Sequence, residues 1–175
     1  MGGIGLTQML RHTHILGYQI HQRTYIKFKI MKTSNNGYNL IKTNEGFRAN
    51  AYQDPAGVWT IGWGTAATSG VDIHKGMIVT KEQAQTFLEH EVVKIENQIN
   101  KNLKVVINQN QFDALVDFCY NLGTGALFGS TLWRDVQAGN FAGAGMEFHK
   151  WNHAGGVVLA GLTKRRMEES KLFLS

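Results

Sequence analysis

Cysteine and proline are almost absent from this sequence of 175 residues, which contains one of each. A single cysteine excludes a disulfide-stabilised scaffold and a metal site built from clustered cysteines. Cys119 lies in an apolar run, where we expect a small buried core residue rather than a reactive thiol. The sequence also lacks any apolar run of about 18 residues, the length that a membrane-spanning helix needs. No secretory signal is predicted, because no basic region precedes an apolar one at the start.

Acidic residues are missing from the first 34 positions, although the whole chain has a formal net charge of +5. This segment contains only basic charges, at Arg11, Arg23, Lys27, Lys29 and Lys32, and the rest of the chain is electrically balanced. We therefore predict a cationic N-terminal leader over residues 1–34 and a neutral globular domain over residues 35–175. The leader is interpreted as an appendage. The alternative is a segment that contacts anionic phospholipid, lipopolysaccharide or nucleic acid.

The globular part changes from a β pattern to a helical pattern along the chain. A short helix, capped by Ser34, Asn35 or Asn36, is predicted to end at Glu45. Residues 51–64 are predicted to form a hairpin around the turn at 54–57, which contains the one proline. Helical spacing follows, with predicted starts near Thr80, Asn108, Ser130, Phe141 and Thr163. The predicted class is α+β, with a small antiparallel β lobe and a larger helical lobe.

Two carboxylates and a hydroxyl around the predicted hairpin are candidates for catalysis. Glu45 ends its helix, where the helix dipole and burial against nearby aromatic residues would raise its pKa. Asp54 opens the turn, whose backbone N–H groups it can accept from, so we expect it to stay ionised. One protonated and one ionised carboxylate across a cleft are typical of glycoside hydrolysis. Alone, both are also ordinary surface residues.

The residues around this pair are more specific. In the run 37–65, eight residues separate Glu45 from Asp54 and five separate Asp54 from Thr60. The run closely resembles the phage-type (T4-like) lysozymes of glycoside hydrolase family 24, which occur as phage endolysins. The resemblance continues at 110–123, 130–132 and 151–166, and covers about 35–173. Thr65 stands where the best-known member has a histidine.

The resemblance implies a lysozyme-like fold with the active-site cleft between the lobes. It also implies an inverting muramidase that hydrolyses the β-1,4 bond between N-acetylmuramic acid and N-acetylglucosamine in peptidoglycan and lyses the host cell. By position, Glu45 matches the general acid, Asp54 the carboxylate that positions or activates water, and Thr60 the residue that holds this water. Arg165 or Arg166 is the expected partner of Glu45. No metal or organic cofactor is implied, and the histidine spacings do not form a ligand pattern.

Three alternatives stay open at this point. A lytic transglycosylase would cleave the same bond with one catalytic acid, although the presence of Asp54 and Thr60 argues against it. A cationic protein could permeabilise membranes through residues 1–34, partly independently of catalysis. An inactive relative could bind peptidoglycan only. For the muramidase, we expect a monomer without a nucleic-acid partner, held in the host cytoplasm until a holin releases it to the peptidoglycan.

Overall fold

A computed structural model describes residues 29–175 and shows two lobes of different character. The N-terminal leader lies almost entirely outside the described residues, as does most of the alternating segment that precedes Met31. The β lobe consists of a three-stranded antiparallel sheet of β1 (Arg48–Gln53), β2 (Trp59–Gly62) and β3 (Thr65–Ala66), in that order. The predicted α+β class is confirmed.

The helical lobe contains seven α-helices among the described residues. They are α1 (Asn35–Glu45), α2 (Lys81–Asn102), α3 (Gln109–Leu122), α4 (Thr124–Phe128), α5 (Thr131–Gln137), α6 (Phe141–Glu147) and α7 (Ala160–Phe173). A short hairpin of β4 (His153–Ala154) and β5 (Val157–Val158) precedes α7. The long α2 contacts β2 and β3 as well as α3, so it joins the two lobes.

The helix starts follow the capping signals of the sequence. Ser34 caps α1, and Thr80 and Asn108 each form a capping box with a glutamine three residues later. Ser130 caps α5, as predicted. Helix α7 begins at Ala160, three residues earlier than predicted. Helix α4 and the β4–β5 hairpin were not predicted, because five-residue and two-residue elements are too short to show a periodic pattern.

Helix α3 lies at the centre of the helical lobe and packs against α1, α2, α4 and α7. Its residues from Gln111 to Cys119 are all buried, including the carboxylates of Asp113 and Asp117. Cys119 is buried, as predicted, and burial raises the pKa of its thiol. A buried helix with two carboxylates needs partners for them, because an unpaired buried charge is costly.

The residues just before α1 supply partners for one of these carboxylates. The backbone N–H and hydroxyl of Ser34 both donate to Asp113, and Gln109 donates a third bond at 2.9 Å. The backbone of Met31 exchanges two hydrogen bonds with the side-chain amide of Asn100, at 2.8 and 2.9 Å. Residues 31–34 are therefore attached to α2 and α3, and the domain division at residue 34 stays a prediction.

Replacing Ser34 by alanine should destabilise the protein more than replacing Thr80, another capping hydroxyl. Loss of an N-cap costs about 1 kcal/mol. Ser34→Ala also removes one of the donors to the buried Asp113, so we expect a loss of about 2 kcal/mol. Urea unfolding of Ser34→Ala and Thr80→Ala measures both values. Equal losses would contradict a role of Ser34 as a hydrogen-bond donor to the buried Asp113.

Candidate active site

Glu45 is the last residue of α1 and lies where the β lobe meets the helical lobe. Gly46 ends the helix with a φ of 68°, and its N–H donates to the carbonyl of Lys42. The side chain of Glu45 is 20% exposed. Burial raises the pKa of Glu45, and the adjacent Arg165 partly opposes this rise. The direction agrees with the expectation from the sequence, and burial is the largest cause.

Arg165 of α7 is the partner of Glu45, so one of the two candidates from the sequence is selected. Its Nη1 lies 2.7 Å from Oε1 of Glu45. Arg166 instead pairs with the buried Glu169 and donates to Oδ1 of Asn121 at 3.1 Å. The guanidinium of Arg166 also lies over the ring of Phe118, 5.1 Å from its centre. Residues 165 and 166 therefore face different sides of α7.

The backbone of Gly64 approaches Glu45 closely from the β lobe. A Cβ atom at position 64 would lie 2.7 Å from Oε2 of Glu45, and the φ of Gly64 is 79°. Because Gly64 has no side chain, Glu45 can approach its backbone this closely. The preceding Trp63 fixes this backbone, because its carbonyl accepts a bond of 2.8 Å from the hydroxyl of Tyr120.

Asp54 lies in the turn between β1 and β2, as predicted. Its Oδ1 accepts hydrogen bonds from the backbone N–H groups of Ala56 and Val58, both at 2.9 Å. These bonds hold the carboxylate at the tip of the hairpin. Its backbone N–H donates to the carbonyl of Val58 at 3.0 Å, which closes the turn.

Tyr52, on β1, is the cross-strand neighbour of the candidate residue Thr60. It pairs with Thr60 across β1 and β2, so the two side chains lie on the same face of the sheet. Burial raises the pKa of the Tyr52 phenol most, and the negative charges of Glu45 and Asp54 raise it further, whereas Arg48 lowers it. Both carboxylates therefore lie within electrostatic reach of one phenol. Thr60 is buried, and its hydroxyl donates to the carbonyl of Val58 at 3.2 Å.

A cavity of about 340 Å³ lies between β3, α2 and α3. Gly64, Thr65, Glu91 and Tyr120 are among the residues that line it. Thr65, at the position of the histidine in the best-known lysozyme, is 1% exposed. Within residues 29–175, no group of three histidine, cysteine or acidic side chains is placed to bind a metal ion. Over the same residues, every helix is too short or too polar to cross a membrane.

Three residues of this region were not singled out by the sequence. Asp117 binds Arg165 from α3, Tyr120 binds the backbone of Trp63, and Lys42 places its ammonium group 4.7 Å from the centre of the Trp63 ring. Asp117 had a detectable signal, since a charged residue within an apolar helical run implies a buried partner. Tyr120 and Lys42 had none, because their partners lie far away along the chain.

Comparison with known proteins agrees with the resemblance seen in the sequence. The phage lysozyme family profile matches residues 42–169. The endolysin of Bacillus phage B103 is 45% identical over 147 residues, which are 83% of this chain and 55% of that protein. The endolysin of Salmonella phage P22 is 37% identical over 83% of this chain and 100% of its own length. The chain thus spans about half the length of the Bacillus phage endolysins that it matches.

Solved structures give the same result. The endolysin of Escherichia coli O157:H7 phage FAHEc1 superposes with a TM-score of 0.77 and 37% identity, covering 85% of this chain and 96% of that one. The fold is therefore that of the lysozyme-like hydrolases, with an α+β arrangement of two lobes. The chain belongs to the phage lysozyme family.

Replacing Gly64 by alanine should destabilise the protein more than the same change at Gly70. Both glycines have positive φ values, of 79° and 95°, but a Cβ at Gly70 would meet no atom within 4 Å. A left-handed backbone costs a non-glycine residue about 1–2 kcal/mol, so Gly70→Ala should lose about that much. Gly64→Ala should lose more, because its Cβ would also displace Glu45. Equal losses in urea unfolding would contradict the tight approach.

Proposed function

We propose that this protein is an endolysin-type muramidase. Its substrate is the β-1,4 bond between N-acetylmuramic acid and N-acetylglucosamine in bacterial peptidoglycan, which it hydrolyses with inversion to lyse the host cell. The observation that carries the proposal is that Glu45, paired with Arg165, lies against Gly64 at the end of the small sheet whose turn holds Asp54 and whose β2 carries Thr60. Membership of the phage lysozyme family supports the choice of substrate.

In this proposal Glu45 is the general acid. Its raised pKa keeps a larger fraction of its carboxyl protonated near neutral pH than an ordinary glutamate would have. It donates this proton to the glycosidic oxygen as the bond to the departing sugar breaks. The charge of Arg165 then stabilises the carboxylate that Glu45 becomes. The Nη1–Oε1 contact of 2.7 Å is short enough for this stabilisation to act directly.

Asp54 and Thr60 handle the water in this mechanism. The carboxylate of Asp54 activates or orients the water and stabilises the positive charge that develops on the sugar. The hydroxyl of Thr60 holds the same water from the neighbouring strand. Inversion follows, because the water attacks the anomeric carbon on the face opposite the leaving group. The protein's own side chains supply both the proton and the water activation, so the proposal assigns no step to a cofactor.

Glu45→Gln should reduce turbidity loss of outer-membrane-stripped Gram-negative cells by about 10²–10⁴-fold, the usual contribution of a general acid. The amide is similar in size but cannot donate a carboxylic proton. Glu89→Gln is the matched control, because Glu89 is exposed on α2 and contacts Gln85. A wild-type rate in Glu45→Gln would exclude Glu45 as the acid. Anhydromuramyl ends in the wild-type digest, read by mass spectrometry, would indicate a transglycosylase instead.

Thr60→Val should lose far more activity than Thr60→Ser. Valine keeps the shape of threonine but removes the hydroxyl, whereas serine keeps it. Since the hydroxyl donates its proton to the carbonyl of Val58 at 3.2 Å, its oxygen retains acceptor capacity for a water. Steady-state rates on purified peptidoglycan measure the difference, and circular dichroism confirms folding. Equal activity of the two variants would contradict a water-holding role.

Two further expectations stay predictions. Membrane permeabilisation through residues 1–34 is the alternative function, and most of that segment lies outside the described residues. Location in the host cytoplasm with release through a holin is the second. Glu45→Gln separates the alternative from catalysis, because killing of intact cells by this variant would have to come from another activity.

A further inference from the structure

Arg165 makes more hydrogen bonds to Asp117 than to Glu45. Its Nε donates to Oδ2 of Asp117 at 3.0 Å, and its Nη2 donates to Oδ1 at 2.8 Å and to the backbone carbonyl at 3.2 Å. Only Nη1 is directed at Glu45, at 2.7 Å. Asp117 therefore binds one edge of the planar guanidinium through both carboxylate oxygens, and one terminal nitrogen is left for Glu45.

The position of Asp117 is itself fixed. It lies on the buried helix α3 and is 0% exposed. Asn44, the residue next to Glu45, donates to Oδ2 of Asp117 at 3.3 Å. The carboxylate thus links α3 to α1 through Asn44 and to α7 through Arg165.

We propose that Asp117 is a positioning residue for the general acid. By binding Arg165 through two edge nitrogens, it orients the guanidinium so that a single N–H reaches Glu45, and it offsets much of the positive charge that Glu45 would otherwise meet. This inference rests on the proposed function of Glu45. It adds a residue that acts on the acid through Arg165, without contacting the substrate.

The other titratable groups around this cluster come from each neighbouring helix. Helix α7 contributes Glu169, whose Oε1 lies 3.6 Å from Nε of Arg165, and Arg166, which pairs with Glu169. Burial raises the pKa of Glu169 well above its ordinary value, and the nearby Asp117 raises it further. Helix α3 contributes Tyr120. Asp117 makes more contacts with Arg165 than any of these groups does.

Asp117→Asn removes the charge but keeps an oxygen that can accept from Arg165. Asp117 raises the pKa of Glu45, and Arg165 lowers it. The substitution removes the negative charge that disfavours the ionised form of Glu45 and leaves the positive charge of Arg165, which favours it. The pKa of Glu45 therefore falls. A general acid is active only while protonated, so the alkaline limb of the pH–rate profile should move to lower pH. A displacement of one unit would reduce the rate on that limb about tenfold.

Asp113→Asn is the matched control. Asp113 is also an aspartate on α3 with 0% exposure, but it binds Ser34 and Gln109. Its replacement should lower stability without displacing the profile. The experiment measures peptidoglycan hydrolysis from pH 4 to 9 for the wild type and both variants, and follows the carboxyl carbon of Glu45 by NMR. A merely structural role of Asp117 would lower the rate at every pH and leave the limb in place.

The expected result is that, in Asp117→Asn only, the alkaline limb of the pH–rate profile moves to lower pH and the pKa of Glu45 falls. If the profile of Asp117→Asn stays in place or moves to higher pH, the inference is overturned. Activity of the wild type in the same experiment would still support the proposed function. An inactive wild type would contradict the proposed function, and the NMR titration of Glu45 would still test the link to Asp117. If Asp117→Asn does not fold, Arg165→Lys is used. Lysine keeps the charge without the fork, so an unchanged profile would overturn the inference.

Discussion

The ion pair between Arg165 and Glu45 is the interaction on which the arrangement of the site depends. The two residues are 120 positions apart along the chain, and their contact requires α1 and α7 to pack on the same buried helix, α3. Arg165 is 6% exposed as a side chain. At that depth an unpaired guanidinium would be costly, and the carboxylates of Asp117 and Glu45 compensate it. Burial alone would lower the pKa of Arg165, but these two carboxylates raise it, and the side chain stays cationic.

Charges within α3 are better explained by orientation than by stability. Replacing a buried ion pair with apolar residues is often neutral or stabilising, so such pairs are weak arguments for stability. Asp113 and Asp117 each bind groups from other parts of the chain: Asp113 fixes the start of α1, and Asp117 fixes the arginine that faces its end. The positions of both ends of α1 are thus fixed by hydrogen bonds to aspartates of the same buried helix, α3. Glu45, the proposed general acid, lies at the second of these two ends.

The sequence predicted the parts of this molecule that depend on local signals. Caps at Ser34, Thr80 and Asn108, the turn at Asp54 and the end of α1 at Glu45 follow from residues within a few positions of each other. The choice of Arg165 over Arg166 could not be predicted, because neighbouring residues on a helix face different directions and only the packing of α7 decides between them. Asp117 was recognisable as a buried charge, but its partner was not.

Trp63 is one of the residues that join the end of the β lobe to α1 and α3. Its carbonyl is held by Tyr120 of α3, and its ring contacts Lys42 of α1 and Phe47, with ring centres 5.1 Å apart in the aromatic pair. Gly64 follows immediately and lies against Glu45, so the same helices that orient the carboxylate also fix the backbone that confines it. Thr60, which carries the proposed water-holding hydroxyl, lies on β2 just before Trp63. The contacts of Trp63 therefore also fix the position of this strand relative to α1 and α3. The relative placement of the proposed acid and the proposed water-holding hydroxyl therefore depends on Trp63, Tyr120 and Lys42 as well.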